Sequence, residues 1–450
     1  MSFQQGLSGL NASSKNLDTI GNNVANASTV GFKQSKAQFA DMYTAAIYTS
    51  GDTQTGTGTT TTLVSQDFGQ GNITSTNNPL DIAINGKGFF RLSTNDAITY
   101  SRNGQFQLDK NGYMVSASGA RLTGYSASIA GVLSTGAPSD IKINPSDMKP
   151  KETANIKTML NLDSRAIAKN LDPATGGAVF SPTDPTTYNN ASSVSVYDSL
   201  GNGHILQTFY VKTHPYVDPT GVLTDPAGTA AQWNVYGTID GTLLSLPDPA
   251  GLIGTLTFDT QGNVSSPATT QLNGSTFLGF MGLIVPVATG AQTPISGDPA
   301  TPPGVGVNID FSNTTQYGSI FGVNALSQDG YASGRLSGFS LNDDGKIIGR
   351  YTNSQVNVMG QVVLSNFANP NGLTPLGANQ WAETSDSGQP LTGTPGSSSL
   401  GSVQSMATED SNVDLTAELV NMITAQRTYQ ANAQTIKTQD QLMQTVVNLR

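Results

Sequence analysis

SNVDLTAELVNMITAQRTYQANAQTIKTQDQLMQTVVNLR, residues Ser411 to Arg450, is the stretch that decides the fold. Stepping by alternating fours and threes from Leu415 lands on Leu419, Met422, Gln426, Tyr429, Ala433, Ile436, Asp440, Met443 and Val447, a heptad-like seam with two polar interruptions. Glycine and proline are absent from it, although the chain carries 49 Gly and 22 Pro in 450 residues. Ser411 with Asp414, or Asp414 itself, can accept the amide hydrogens of a first turn, and Arg450 complements the negative end of the dipole. One long amphipathic helix is expected, on the order of 50 Å at about 1.5 Å per residue. A strip so long and narrow calls for a helical partner.

The other end of the chain supplies one. From Phe3 the same stepping gives Leu7, Leu10, Ser14, Leu17, Gly21 and Val24, with Ile20 beside the seam. Two seamed helices at opposite termini predict an antiparallel coiled-coil pair. The competing reading is two ordinary core helices; the interrupted seams and the terminal positions favour the pair. Gly6, Gly9 and Gly21 each cost about 1 kcal/mol relative to alanine inside a helix. Both ends are therefore expected to be unfolded in a free subunit and to fold when neighbouring copies complete the seam.

Between the ends the period changes. After a Gly/Thr-rich stretch, Tyr48 to Thr62, read either as a flexible linker or as an extended hairpin along the helices, short alternating runs begin at Asn72, such as DIAINGKGFFRL and AITYSRNGQFQLD. Asn-Gly turns stand at Asn85-Gly86 and Asn103-Gly104. A local signature, an apolar residue, Asx, two variable residues and Gly, recurs as LDKNG (108–112), YDSLG (197–201), FDTQG (258–262) and LNDDG (341–345). The Asx side chain can bond the amide two residues on while Gly takes positive φ, so four hairpins are predicted. LDKNG and LNDDG lack the Glu at position twelve and the oxygen spacing of a calcium loop.

The expected fold class is mainly β with α-helical termini: terminal coiled-coil helices plus two or more stacked β-domains, the outer one inserted into the inner one. Residues 1–30 with 411–450 form the terminal coiled coil, 31–71 with 400–410 a connecting region, 72–145 with 315–399 the inner β-domain, and 146–314 the inserted outer β-domain.

Charged residues are only 12% of the chain, about half the usual share, so little charge repulsion holds surfaces apart. That suits a protein that packs on copies of itself. A net charge of −10 with no sizeable basic cluster argues against nucleic acid. The absence of cysteine excludes disulfides and thiolate metal sites. No hydrophobic run reaches the length of a membrane span, and the N-terminus lacks the pattern of a cleaved secretory signal. His204 and His214 belong to no HExxH, GxSxG or phosphate-loop motif. No catalytic residue, cofactor or metal is expected.

Three segments carry a family resemblance: GLSGLNASSKNLDTIGNNVANASTVGFKQSKAQFADMY from Gly6, SQDFGQGNITSTNNPLDIAINGKGFFRL from Ser65, and the closing stretch from Ser411. GYASGRLSGF and MGQVVLSNFANPNGL add to them. Together they resemble the bacterial flagellar hook proteins, within the wider rod and hook family. The resemblance fades between Pro145 and Phe311. Asn22, Asn23, Asn26, Gly31 and Phe32 match the family's front motif; Asn412, Val413, Asp414, Leu415, Glu418, Leu419, Gln426, Arg427, Tyr429, Asn432, Ile436 and Thr438 match its closing one.

The resemblance implies a subunit exported unfolded through the flagellar type III apparatus, which polymerises outside the cell into a curved tube joining rod to filament. The tube transmits motor torque as a universal joint. It implies as partners further copies of the chain, the distal rod protein, the hook cap protein and the hook–filament junction protein. The polar positions Thr424, Gln434, Thr438, Gln441, Gln444, Thr445 and Asn448 either line the bore of such a tube or form a plain solvated face. A distal rod subunit and a surface adhesin with glycan-binding β-domains are the alternatives; the large inserted region and the segment from Ser65 favour the hook.

Overall fold

The structure is a computed structural model describing residues 2–42, 56–128, 131–144, 146–171, 177–214, 230–244, 251–266, 279–283, 307–397 and 399–448. It is mainly β, with a helix at each end: α1 (Ser2–Ala25) and α2 (Leu415–Asn448). The chain divides into two compact units. One comprises Met1–Pro145, Leu336–Tyr351 and Gln355–Arg450; the other comprises Ser146–Arg335 with Thr352–Ser354.

α2 begins at Leu415, and of the two caps offered by the sequence it is Asp414 itself that serves: its Oδ1 accepts from the amides of Thr416 (2.9 Å) and Ala417 (3.2 Å). Residues 411–414 lie outside the helix, and Asn412 there is hydrogen-bonded to Gln34 and Asp67. Beside the helices, β1 (Ser35–Met42) and β2 (Gly58–Gln66) form an antiparallel ribbon. Of the stretch Tyr48 to Thr62, residues 48–55 lie outside the described residues, and the threonine run lies in β2.

The rest of the first unit is a large sheet whose strands run in the order 336–341, 346–351, 356–362, 121–126, 89–94, 97–101, 380–382 and 374–377. Successive side chains of a strand point to opposite faces. In FFRL, Phe90 and Leu92 therefore enter one core with Ile82, Ile84, Phe106 and Leu122, while Phe89 enters a second with Tyr100, Phe367 and Trp381. The strands 402–405 and 407–409 return antiparallel to 82–85 and 73–75, tying the approach to α2 into the start of this unit.

The second unit pairs two sheets around one core. One sheet contains the strands 190–197, 203–214, 231–239, 252–258 and 264–266; the other is built on Asn155–Asp163. Leu160, Leu162, Tyr210, Trp233, Leu256 and Phe311 fill the space they share. Residues 315–328, placed above in the inner domain, run instead as two strands beside 155–163, parallel at 315–317 and antiparallel at 322–328. The Asn161 side chain fixes this register, accepting from the Tyr317 amide (3.0 Å) and donating to Ser319 Oγ (2.9 Å). The chain re-enters the first unit at Leu336.

All four Asx-x-x-Gly segments are hairpin turns joining paired strands. Asp109, Asp198 and Asp259 each accept from the amides two and four residues on, and Gly112, Gly201, Gly262 and Gly345 have φ between +79° and +84°. The two Asn-Gly turns behave differently. Asn85-Gly86 leads from a strand paired with 402–405 to one paired with 97–101, so it passes the chain between partners and closes no hairpin. At Gly104 a Cβ would lie 1.6 Å from the Ile82 carbonyl oxygen, so close approach of backbone explains this glycine.

Candidate assembly surface at the chain ends

α1 and α2 pack antiparallel, with Gly6 against Ile436, Gly9 against Asn432, and Asn23 hydrogen-bonded to Glu418. The contact follows the apolar seams only in part, through Ile436 and, beside the seam, Ile20. On α1 it follows Gly6, Gly9, Ser13, Ile20 and Asn23, and on α2 Glu418, Ala425, Asn432 and Ile436. Gly6 and Gly9 let the two backbones approach: a Cβ on Gly9 would meet the Asn432 amide at 2.9 Å. The seam logic predicts a coiled coil through large apolar residues, but small residues make the closer contact and win inside one subunit.

The predicted seam residues are consequently left open to different degrees. Phe3, Leu7, Leu415, Leu419 and Tyr429 are exposed, and Met443 is 59% exposed. Leu10, Leu17, Val24, Met422 and Ile436 are half-buried, while Ile20 is buried. The side chain of Val447 lies outside the described residues. Val420, Ile423 and Leu442, outside the predicted seam, are also more than half exposed. Few apolar side chains are covered where the two helices meet, and apolar area removed from water is what holds most helix pairs together.

The motif residues cluster where the helices join the β-unit. Asn23, 1% exposed, exchanges two hydrogen bonds with the Ser35 backbone (2.8 and 2.9 Å) and donates to Glu418 Oε1. The Gln34 side chain donates to the same carboxylate oxygen. Asn412 accepts from the Gln34 amide (2.7 Å) and donates to the Asp67 carbonyl (2.8 Å), fastening the approach to α2 to the residues that flank the open end of the ribbon. Asn22 and Asn26 bond each other across the last turn of α1 (2.6 Å). Gly31 has φ +71° and donates to the Glu409 carbonyl (2.8 Å), and Phe32 is half-buried. Asn432 donates to Ser13 Oγ (3.3 Å). Gln426 and Arg427 are exposed.

Sequence reasoning missed a buried ionic node. Lys33 Nζ donates to Glu409 Oε1 (2.6 Å) and to the Gly69 carbonyl (2.8 Å), and Arg102 Nη1 donates to Glu409 Oε2 (3.0 Å). The side chains of Lys33 and Glu409 are fully buried and that of Arg102 is 3% exposed. Burial pulls the Lys33 ammonium below its ordinary value against the opposing pull of Glu409, and it acts on Arg102 in the same direction. The node joins the segment after α1, the turn after Ser101 and the strand leading to α2. Its one visible signal is that Lys33 directly follows the motif residue Phe32 and Glu409 lies three residues before Asn412.

Among the described residues no helix is long and apolar enough to cross a membrane, and no group of three or more His, Asp or Glu side chains is placed to hold a metal ion.

Four families match successive parts of the chain: "Flagella basal body rod protein" over residues 3–33, "Flagellar hook protein FlgE/F/G D1 domain" over 83–159, "Flagellar basal body protein FlaE D2 domain" over 161–331, and "Flagellar basal body rod FlgEFG protein C-terminal" over 404–449. The flagellar hook protein FlgE of Salmonella typhimurium (strain LT2) is 40% identical over 456 residues, covering 100% of both chains. That of Escherichia coli (strain K12) is 40% identical over 457 residues with the same coverage. The crystal structure of Helicobacter pylori flagellar hook protein FlgE2 aligns with 74% of this chain and 99% of its own, at 15% identity and a TM-score of 0.47. Full-length identity at this level, together with the hook and rod families matched at both ends and between them, means that the chain belongs to the flagellar hook protein family and is a structural subunit of the hook.

Proposed function

We propose that the subunit self-assembles through its two ends into a curved, flexible hollow tube that joins rod to filament outside the cell and transmits torque as a universal joint. The observation that carries this reading is the apolar surface left open on α1 and α2, Phe3 and Leu7 on one and Leu415, Leu419, Val420, Ile423 and Met443 on the other, while the contact between the helices uses mostly small and polar residues, with Ile20 and Ile436. Exposed apolar area arranged in strips on paired helices is best satisfied by helices of further copies.

In this reading residues 1–30 with 411–450 form the inner tube, the ribbon and residues 400–410 connect it to the inner β-domain, and the inserted domain lies outermost. The polar face of α2 suits a bore. Thr424, Thr438 and Thr445 each donate to the carbonyl four residues back, leaving few hydroxyl donors to hold a passing unfolded chain. The end-on partners are the distal rod protein, the hook cap protein and the hook–filament junction protein, and the subunit reaches them through the flagellar type III export apparatus. Electron microscopy of cells lacking the gene tests the proposal: a rod with neither hook nor filament is expected, whereas intact hooks would overturn it.

A further inference from the structure

One side of α1 is held by the ribbon. Gln5 donates to the Gly56 carbonyl, Ser8 Oγ accepts from the Thr59 amide (3.2 Å), and Asn23 bonds the Ser35 backbone. Successive residues of an α-helix turn by about 100°, so Leu7, Leu10 and Gly21, each two residues from one of these three, lie about 200° round from them, opposite the ribbon. Phe3, four residues before Leu7, and Leu17, seven after Leu10, share that side. Phe3 and Leu7 are 50% and 44% exposed, and Leu10 and Leu17 are half-buried. The side of α1 away from the ribbon is thus an uncharged apolar strip.

The ribbon has an open face of its own. Ala37, Phe39 and Thr59 line the groove between the ribbon and the helices. Alternate residues of a strand point to opposite faces and cross-strand partners share a face, so Gln38, Ala40 and Met42, with Leu63 and Thr60 across from the first two, form the outer face. Leu63 is 48% exposed and Met42 45%. Lys36, the charged residue of that face, is already paired with Asp67 at 3.2 Å.

We propose that the Phe3, Leu7, Leu10 and Leu17 strip of one copy packs on the outer face of the next copy's ribbon. This rests on the self-assembly reading above and names its contact. The dimensions agree: Phe3 to Leu17 spans about 21 Å at 1.5 Å per helical residue, and Lys36 to Met42 about 20 Å at 3.4 Å per strand residue. The directions agree with a bore as well. Ile436 faces α1, and Thr438, two residues on, is about 200° round α2, so the bore side points away from α1 and leaves strip and ribbon to face neighbours on either hand. A strip-to-strip contact would close a dimer and leave Leu63 and Met42 in water. Strip-to-ribbon contact covers both surfaces, and a copy bound through one keeps the other, so the contact is heterologous and propagates.

The chain has no cysteine, so introduced thiols report the contact without background. Full-length Leu10→Cys and Leu63→Cys chains are co-assembled, sedimented as tubes and treated with a short flexible bismaleimide; Leu7→Cys with Ala40→Cys forms a second pair. Covalent dimers are expected from each mixture and from neither variant alone, and none when the ribbon variant is replaced by Ile320→Cys, 79% exposed on the second unit. Leu7→Ser and Leu63→Ser should each raise the critical concentration for assembly about tenfold with unchanged circular dichroism, and the double variant by less than the product of the two. Dimers from a strip variant alone, equal dimers with Ile320→Cys, tubes in which neither pair cross-links, or serine effects that multiply would each overturn the contact while leaving assembly intact. A wild-type chain that never polymerises would overturn the assembly reading itself, and this contact with it.

Discussion

Replacing Glu409 by glutamine removes the negative charge shared by Lys33 and Arg102 and keeps the side chain's shape. The wild-type carboxylate accepts from Lys33 at 2.6 Å, from the Gly71 amide at 2.9 Å and from Arg102 at 3.0 Å. In the variant the amide oxygen can still serve Lys33 and Gly71, which share Oε1, but the amide nitrogen must then face the Arg102 donor, and two buried cations lose their counter-charge. Breaking a buried ion network in this way costs about 3–5 kcal/mol. For a unit of this size each kcal/mol moves the midpoint by about 2–4 °C, so a fall on the order of 10 °C is expected. Differential scanning calorimetry of the full chain reads it. Converting the whole node to apolar side chains, Lys33→Met, Arg102→Leu and Glu409→Leu together, should cost less than the single change, because no charge is then left buried alone. A Glu409→Gln midpoint within about 2 °C of wild type, or a triple variant worse than the single one, would refute the argument that these charges form one compensated node.

Gly31→Ala should destabilise the first unit by more than about 1 kcal/mol in urea titration, since φ is +71° and a Cβ would lie 2.6 Å from the Asn103 amide nitrogen. Asp414→Ala removes the acceptor for two first-turn amides, and thermal melting should show a loss of about 1 kcal/mol together with reduced helicity near residue 415. Acid should weaken the second unit. Burial pushes Asp198 and Asp329 up, but hydrogen bonds, from Asn202 to the first and from the Asn155 and Ala154 amides to the second, hold both below the ordinary 3.8. The Asn263 amide also lowers Asp259. Unfolding raises these values, so the unfolded chain binds more protons; the stabilisation is present above about 3.8 and disappears as pH falls through the lower folded values. The urea midpoint of this unit should therefore drop between pH 5 and pH 3.

What the sequence made legible was mostly local. A run free of Gly and Pro with an Asp cap marks α2, and four Asx-x-x-Gly segments mark hairpins because the same few atoms make the turn wherever it occurs. Non-local choices were not legible. The alternation in 315–328 says strand but does not say which sheet, and that was decided by Asn161, more than 150 residues away. The helix stripe with the largest apolar residues is the obvious seam on paper, yet Gly6, Gly9 and Ser13 make the intrachain contact because they allow the closer approach. Nothing local singles out Glu409; its burial follows from two cations 376 and 307 residues distant. The match to a known family supplied the function, and the geometry adds which strips remain open for assembly.

Hydrogen exchange of the α1 and α2 amides, compared between dilute subunits and assembled tubes, addresses the central claim most directly. Helices joined through so few buried apolar side chains should exchange rapidly in the dilute chain, and covering Phe3, Leu7, Leu419 and Ile423 should slow exchange by at least a hundredfold in the tube. Full protection of both helices in the dilute monomer, unchanged at any concentration, would contradict it.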